Sequence, residues 1–429
     1  MKKSVPWNIK FQYMIIERNT YLNKLIARRH NGMIKIVTGL RRCGKSFLLS
    51  TIYTNWLKDQ GINDSHIIDI NLEDRRNKKL RDPDELLAYI DSKLTDDKMH
   101  YIMIDEIQLV PEFEDVLNSY LNMPNADVYV TGSNARFLSS QVRTEFAGRG
   151  DEIRLYPLTF SEYFSAIGGD ITKALTDYMI YGGMPQVVLK ESEKDKREFL
   201  KALFTRTYIR DIVERNKIRN KDVFDDFLNI LASSIGALTN PTKLANTFES
   251  VKHEKVSRNT LASYIDYICE SFLMEKASRY DIKGKKYIES LNKYYFADCG
   301  LRNARLNFRQ IEYSHLLENV IYTELLARDF SVDVGVVAKN ERTADSRERQ
   351  YYEVDFVCNN GSQRYYIQSA YRMIDEAKVT QESASLLNVD DAFKKIIILG
   401  EYTPVLHTES GITIISIYDF LMKENSLEL

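Results

Sequence analysis

The chain is poor in cysteine, in unbroken apolar sequence and in net charge. Its four cysteines, Cys43, Cys269, Cys299 and Cys358, are scattered over 429 residues, without the paired spacing of a zinc site or a disulfide framework. That excludes a disulfide-stapled secreted scaffold and points to a reducing, cytoplasmic setting. No apolar stretch approaches the roughly 20 residues of a membrane-spanning helix. The opening Met1-Lys-Lys-Ser-Val-Pro-Trp7 lacks the apolar core of a secretory leader, so no membrane partner is expected. A formal net charge of −2 excludes a uniformly basic coat for nucleic acid, though not a local patch. What is present, 44% hydrophobic and 28% charged residues, is ordinary for a globular chain, long enough for about three domains.

One stretch carries the most information. Gly39-Leu40-Arg41-Arg42-Cys43-Gly44-Lys45-Ser46 satisfies G-x-x-x-x-G-K-[S/T], directly after the apolar run Met33–Val37 and before Phe47-Leu48-Leu49. A glycine loop between strand and helix turns its backbone N–H groups around phosphate oxygens, and the helix N-terminus adds its positive end. Lys45 is expected to reach the β- and γ-phosphates, and the Ser46 hydroxyl to ligate magnesium. Arg41 and Arg42 either touch the nucleotide or neutralise acids nearby. Cys43 reads first as a small residue filling the loop; its place beside Arg42 and Lys45 at a helix start also suggests a lowered pKa, with a redox gate as the alternative.

Further on, His100-Tyr-Ile-Met-Ile-Asp105-Glu106 reads as a buried parallel strand with an acidic pair at its tip. Asp105 is expected to hold the magnesium shell and Glu106 to polarise the attacking water. The next strand, Ala126–Val130, ends in Thr131-Gly-Ser-Asn134. Asn134 is the candidate sensor of the γ-phosphate, with Ser133 and Thr131 behind it; a capped turn is the alternative. With His66–Leu72 and Glu152–Tyr156 the region is expected to form a five-stranded parallel sheet wrapped by helices.

Thr38–Ser46, Ile104-Asp-Glu-Ile-Gln108, Val130–Asn134, Phe146-Ala-Gly-Arg149, Tyr156-Pro-Leu-Thr-Phe-Ser-Glu162 and Tyr181-Gly-Gly-Met-Pro185 together resemble one family. It is the prokaryotic AAA-type ATPases whose C-terminal half is a domain of unknown function. The resemblance covers nearly the whole chain. It implies the strand order of additional-strand P-loop ATPases, ATP with Mg2+ as ligand, and Glu106 as the hydrolytic glutamate. It also implies that Arg149 is a γ-phosphate sensor or an arginine finger from a neighbour; an exposed salt-bridging arginine is the alternative. The chain lacks an Asn/Thr-Lys-x-Asp guanine reader, which agrees with adenine.

The fold class expected is α/β multidomain. Residues 1–180 form the P-loop parallel-sheet ATPase domain, turned out at Gly182-Gly183 into a helical linker or lid, 181–223. A winged-helix-like domain follows at 224–309, and a restriction-endonuclease-like α/β domain at 310–429. Between Lys201 and Lys221 seven basic residues face two acids, which suits phosphate contact or a solvated helix face. In the winged-helix reading Arg258, Asn259, Thr260 and Tyr264 face a DNA groove while Lys283, Lys285 and Lys286 meet phosphates. In the last domain Glu318 on a helix and Asp355 on a strand suit a nuclease metal site. Gln368 and Ala370, however, stand where an acid and a lysine belong. The site is therefore read as degenerate and the domain as a docking module; Lys378 is a conceivable substitute. The expected function is an ATP-driven molecular switch that reports its nucleotide state to a partner. The alternatives are an ATP-controlled DNA-binding regulator and an ATP-gated nuclease.

Overall fold

The computed structural model describes residues 15–133, 148–342, 347–372 and 376–429. By its internal contacts the chain divides into two compact units, one of residues 1–157 with 270–272, the other of 158–269 with 273–429. Among the described residues no helix is long and apolar enough to cross a membrane.

The first unit is built on five strands, β1 (Ile34–Gly39), β2 (Ile67–Asn71), β3 (His100–Asp105), β4 (Ala126–Gly132) and β5 (Gly150–Leu155). Every pairing is parallel, in the order β2-β3-β4-β1-β5. Inserting β4 between β1 and β3 is the additional-strand order expected above, and it brings the tip of β4 between the phosphate loop and the acidic pair. β1 and β3 are buried along their whole length, as central strands covered on both faces must be. On one face Ile36, Ile70, Ile104 and Val130 pack with Leu86, Ile90, Val116 and Leu117 from the helices Pro83–Asp91 and Phe113–Leu121. Asp82 caps the first of these through the N–H groups of Asp84 and Glu85, ahead of Pro83 at the first helical position.

The second unit holds eight more strands: β6 (Met274–Asp281), β7 (Lys286–Phe296), β8 (Ser331–Arg342), β9 (Arg347–Asn360), β10 (Gln363–Ala370), β11 (Lys394–Leu399), β12 (Leu406–His407) and β13 (Ile412–Ser416). They form one mixed sheet in the order β12-β13-β11-β10-β9-β8-β6-β7. The hairpin β6–β7 follows the helices Pro241–Lys252 and Arg258–Glu270, the element order expected of helix–turn–helix and wing. It does not stand alone, because β6 pairs in parallel with β8 through Arg279, Tyr280 and Asp281. The sheet thus runs across the boundary read from sequence at 309/310, covering a hairpin edge that would otherwise be left unpaired.

Gly182 and Gly183 lie within the second unit, past the break at 157/158, where they pack against a segment near residue 300. Asp298 accepts the Gly183 N–H at 2.7 Å and the Leu301 N–H at 3.0 Å, and Asn303 donates its amide to the carbonyls of Met179 and Ile180 at 3.0 and 2.9 Å. A Cβ on Gly182 would lie 2.1 Å from Asp298 Oδ1, and one on Gly300 2.0 Å from the Tyr181 carbonyl oxygen. Two glycine-bearing segments more than a hundred residues apart are required by one close approach. The basic stretch begins in one run of helix, Glu193–Leu203 continuing through 204–215, with Leu200, Leu203, Phe204, Tyr208 and Ile212 buried; Lys217 and Arg219 follow in a turn and Lys221 opens the next helix. Two of its arginines pair one turn along, Arg210 with Glu214 at 2.8 Å and Arg215 with Asp211 at 2.6 Å.

Candidate nucleotide site

The phosphate loop is shaped by two glycines. Gly39 has φ 140° and Gly44 φ 108°, left-handed values that a side chain would strain. At Gly39 there is also no space, since a Cβ would fall 2.1 Å from the Leu155 carbonyl oxygen. Lys45 opens the helix, 4% exposed, and donates to the carbonyls of Gly39 and Leu40 at 3.1 and 3.2 Å. A buried ammonium resting on two neutral carbonyls keeps its charge available to an anion.

Ser46 donates to the two oxygens of Asp105 at 2.8 and 2.9 Å. Thr131, at the tip of β4, donates to Asp105 Oδ1 at 2.6 Å and accepts the Glu106 N–H at 2.9 Å. Burial pushes the Asp105 carboxyl up, the hydrogen bonds from Thr131 and Ser46 pull it down, and the Glu106 charge adds to the rise. A cation between Ser46 and Asp105 would relieve that rise, and the hydroxyl and carboxylate are the hard oxygen donors magnesium takes. The residues present therefore fit a Mg2+ ion.

Glu106 lies just past β3 with φ 57°, a left-handed conformation costly for a side-chain-bearing residue and frequent at functional sites. Its Oε2 accepts from Ser133 Oγ at 3.1 Å and from Gln108 Nε2. The other end of that amide, Gln108 Oε1, is buried with no hydrogen-bond partner among the described residues. Ser133 and Thr131, ranked behind Asn134 in the sequence, are thus placed on the acidic pair; Asn134 lies outside the described residues. Gln108 was given no role by the sequence reading. Its only signal was its place two residues beyond the acidic pair.

The structure separates the readings open for the flanking residues. Cys43 is completely buried, its thiol 3.5 Å from the Leu155 carbonyl oxygen. Burial pushes its pKa up in spite of Lys45 and Arg18, the reverse of the activated thiol that its neighbours in sequence suggest. Dithiobis-nitrobenzoate is accordingly expected to label Cys43 in the folded protein at least 100-fold more slowly than in urea; labelling at the unfolded rate would restore the redox gate. Arg149 stands beside the start of β1, its carbonyl accepting the Ile34 N–H at 2.8 Å. Strand rise puts it about 17 Å from the loop, so it cannot sense the γ-phosphate within its own chain. Its exposed guanidinium reaches Asn118 at 3.5 Å. Of the loop arginines, Arg41 pairs with Glu73 at 2.9 Å, and Arg42 is exposed with φ 65°. Leu40 is buried and Phe47 points to solvent.

The remaining candidates lie in the second unit. Tyr264 is buried, its ring 5.0 Å from Phe224 and 5.8 Å from Phe227, so it serves the helix core and not a groove. Arg258, Asn259, Lys283, Lys285 and Lys286 are exposed, and Thr260 bonds Ser257 in the turn that opens the helix. Glu318, Asp355 and Gln368 do come together. Gln368 Oε1 accepts the Asp355 N–H at 3.3 Å, and Glu318 and Asp355 share a cation that the sequence reading missed, Lys293.

A protein-family model described as an AAA domain matches residues 31–164, and a second, described as a domain of unknown function (DUF8612), matches 172–312. An uncharacterized protein of Haemophilus influenzae is 33% identical over 415 residues, spanning 95% of this chain and 99% of its own length. The uncharacterized protein MJ1544 of Methanocaldococcus jannaschii is 29% identical over 381 residues, covering 85% of this chain and 81% of its own. Among solved structures, the ORC2 protein of Aeropyrum pernix in its ADP form aligns at 10% identity over 73% of this chain and 97% of that one. Its TM-score is 0.35.

Proposed function

The chain belongs to the same family as the Haemophilus influenzae relative, one of AAA-type P-loop proteins, and from that premise we propose that it binds magnesium-ATP and hydrolyses it as a molecular switch. The observation that carries this reading is the hydrogen-bonded chain from the phosphate loop to the strand tips, Ser46–Asp105–Thr131–Glu106. Lys45 neutralises the β- and γ-phosphates, and Ser46 and Asp105 hold Mg2+, which offsets charge on the transferring phosphoryl oxygens when bound. Glu106, held by Ser133 and Gln108, takes the proton from the attacking water, and the unpartnered Gln108 Oε1 accepts that water's second proton in a hydrogen bond.

The second unit is the part that reports nucleotide state to a partner. Its order of helix Tyr313–Ala327, antiparallel strands β8, β9 and β10, helix Glu376–Leu387 and then β11 parallel to β10 supports a restriction-endonuclease-like layout. The amide at Gln368 and the methyl at Ala370 support docking over cleavage. The helices and hairpin of 241–296, with Arg258, Asn259, Lys285 and Lys286 exposed, support an extended reading in which that partner is duplex DNA. ATP turnover by the purified protein, with and without magnesium and duplex DNA, tests both. Magnesium-dependent turnover raised severalfold by DNA, with the rise lost above about 0.3 M salt, supports the DNA form. Turnover indifferent to DNA leaves a protein partner, and no turnover or ATP binding under any condition sinks the switch.

A further inference from the structure

Lys293, on β7, is 4% exposed at its side chain, and its ammonium is surrounded by acids. Nζ lies 2.8 Å from Glu318 Oε1, 2.8 Å from Glu353 Oε1 and 3.6 Å from Asp355 Oδ1. Glu318 comes from the helix Tyr313–Ala327, and Glu353 and Asp355 are alternate residues of β9, so both face the same side of the sheet. The acids have further partners: Tyr295 donates to Glu318 Oε1 at 2.6 Å, and the Ser369 N–H donates to Asp355 Oδ2 at 2.9 Å.

Carboxylates converging from a helix and a strand are how proteins hold divalent cations. Here the centre of the convergence is filled by a side chain. The ammonium donates to Glu318 Oε1 and stands as an ion pair with Glu353 and Asp355, and a metal ion bound at about 2.1 Å to the same oxygens could not share the position with it. The three acids around it, Glu318, Glu353 and Asp355, supply the counter-charge that a buried ammonium needs. Glu353 is 34% exposed to water, which relieves part of the surplus of acid.

We propose that Lys293 is the resident cation of this centre, occupying the position between Glu318 and Asp355 that a divalent ion would take, so that the acids form a latent metal site closed by the protein itself. The same ammonium ties the β6–β7 hairpin to the helix and to β9, in addition to the backbone pairing of β6 with β8. The proposal stands on the geometry of the second unit alone and is independent of ATP hydrolysis.

The test is a Mn2+ titration of the nucleotide-free, full-length protein, followed by electron paramagnetic resonance, on wild type, Asp355→Asn, Lys293→Ala and Lys293→Ala/Asp355→Asn. Any Mn2+ held at the phosphate loop is common to all four. Wild type and Asp355→Asn are expected to give the same isotherm. Lys293→Ala is expected to gain one site at least tenfold tighter than anything in wild type, absent again in the double variant. A Mn2+ site in wild type that Asp355→Asn removes would overturn the proposal, as would a folded Lys293→Ala protein that gains none. The comparison of wild type with Asp355→Asn needs no Lys293 variant, so it decides even where Lys293→Ala does not fold.

Discussion

Lys45→Ala is expected to abolish magnesium-ATP binding, and Glu106→Gln to keep binding while turnover falls by about 100- to 10,000-fold, the usual worth of a positioned general base. The two differ because the residues act at different stages. Lys45 is the buried cation of the loop, resting on the Gly39 and Leu40 carbonyls, and alanine leaves the phosphate charge without its counter-charge. The Glu106 carboxylate is held by Ser133 and Gln108 beyond the end of β3, apart from the cation of the loop. Glutamine preserves its shape and removes its basicity. Equilibrium binding of a fluorescent ATP analogue with single-turnover hydrolysis checks both. Native turnover in Lys45→Ala would refute the site, and native turnover in Glu106→Gln would take the base role from Glu106. The same split separates failure of the nucleotide site from failure of the Lys293 proposal, whose readout is Mn2+ without nucleotide.

The largest stability effect is expected at Asp298. Its carboxyl is wholly buried and accepts the backbone N–H groups of Gly183 and Leu301, so Asp298→Ala leaves buried donors unpaired at about 1–3 kcal/mol each. A loss on the order of 4 kcal/mol is expected in urea unfolding of the second unit. The pH dependence has a definite sign. Burial raises the folded pKa from 3.8 to about 6, against the pull of the backbone N–H groups, so between these values the native state binds the extra proton. The stability this gives is fully present below pH 3.8 and is lost as pH rises through about 6, in total about 3 kcal/mol at 1.36 kcal/mol per unit. Wild type minus Asp298→Asn, followed from pH 4 to pH 7, isolates it from the other carboxylates. A flat difference would mean that Asp298 is not buried as described.

The nucleotide site was legible because its parts are local. A strand, a glycine loop and a helix start are consecutive, and the loop binds with its own backbone, so spacing alone specifies the geometry. Asp105 and Glu106 were legible for a similar reason, an acidic pair at the end of an apolar strand. The acidity suggested for Cys43 by its sequence neighbours was wrong, because a thiol's acidity depends on burial as much as on charge, and burial against Leu155 is set by β5, over a hundred residues away. Tyr264 was misread in the same way. A helical position beside Arg258 and Asn259 suggested a DNA-facing side chain, and packing turned it onto Phe224 and Phe227. Arg149 followed a motif whose position in the chain says nothing about which end of the sheet it occupies.

By itself the sequence determined the phosphate loop and the acidic pair, each written within a few consecutive residues, and the apolar runs that become the strands of the parallel sheet around them. Only the tertiary structure decided that Gly182 and Gly183 close on Asp298, that β6 joins β8, and that Lys293 stands among Glu318, Glu353 and Asp355. Those arrangements bring together residues 25 to 116 positions apart. Charge and close packing act through space, and a distance of 2.8 Å is fixed by strand register and helix packing, which no local pattern encodes.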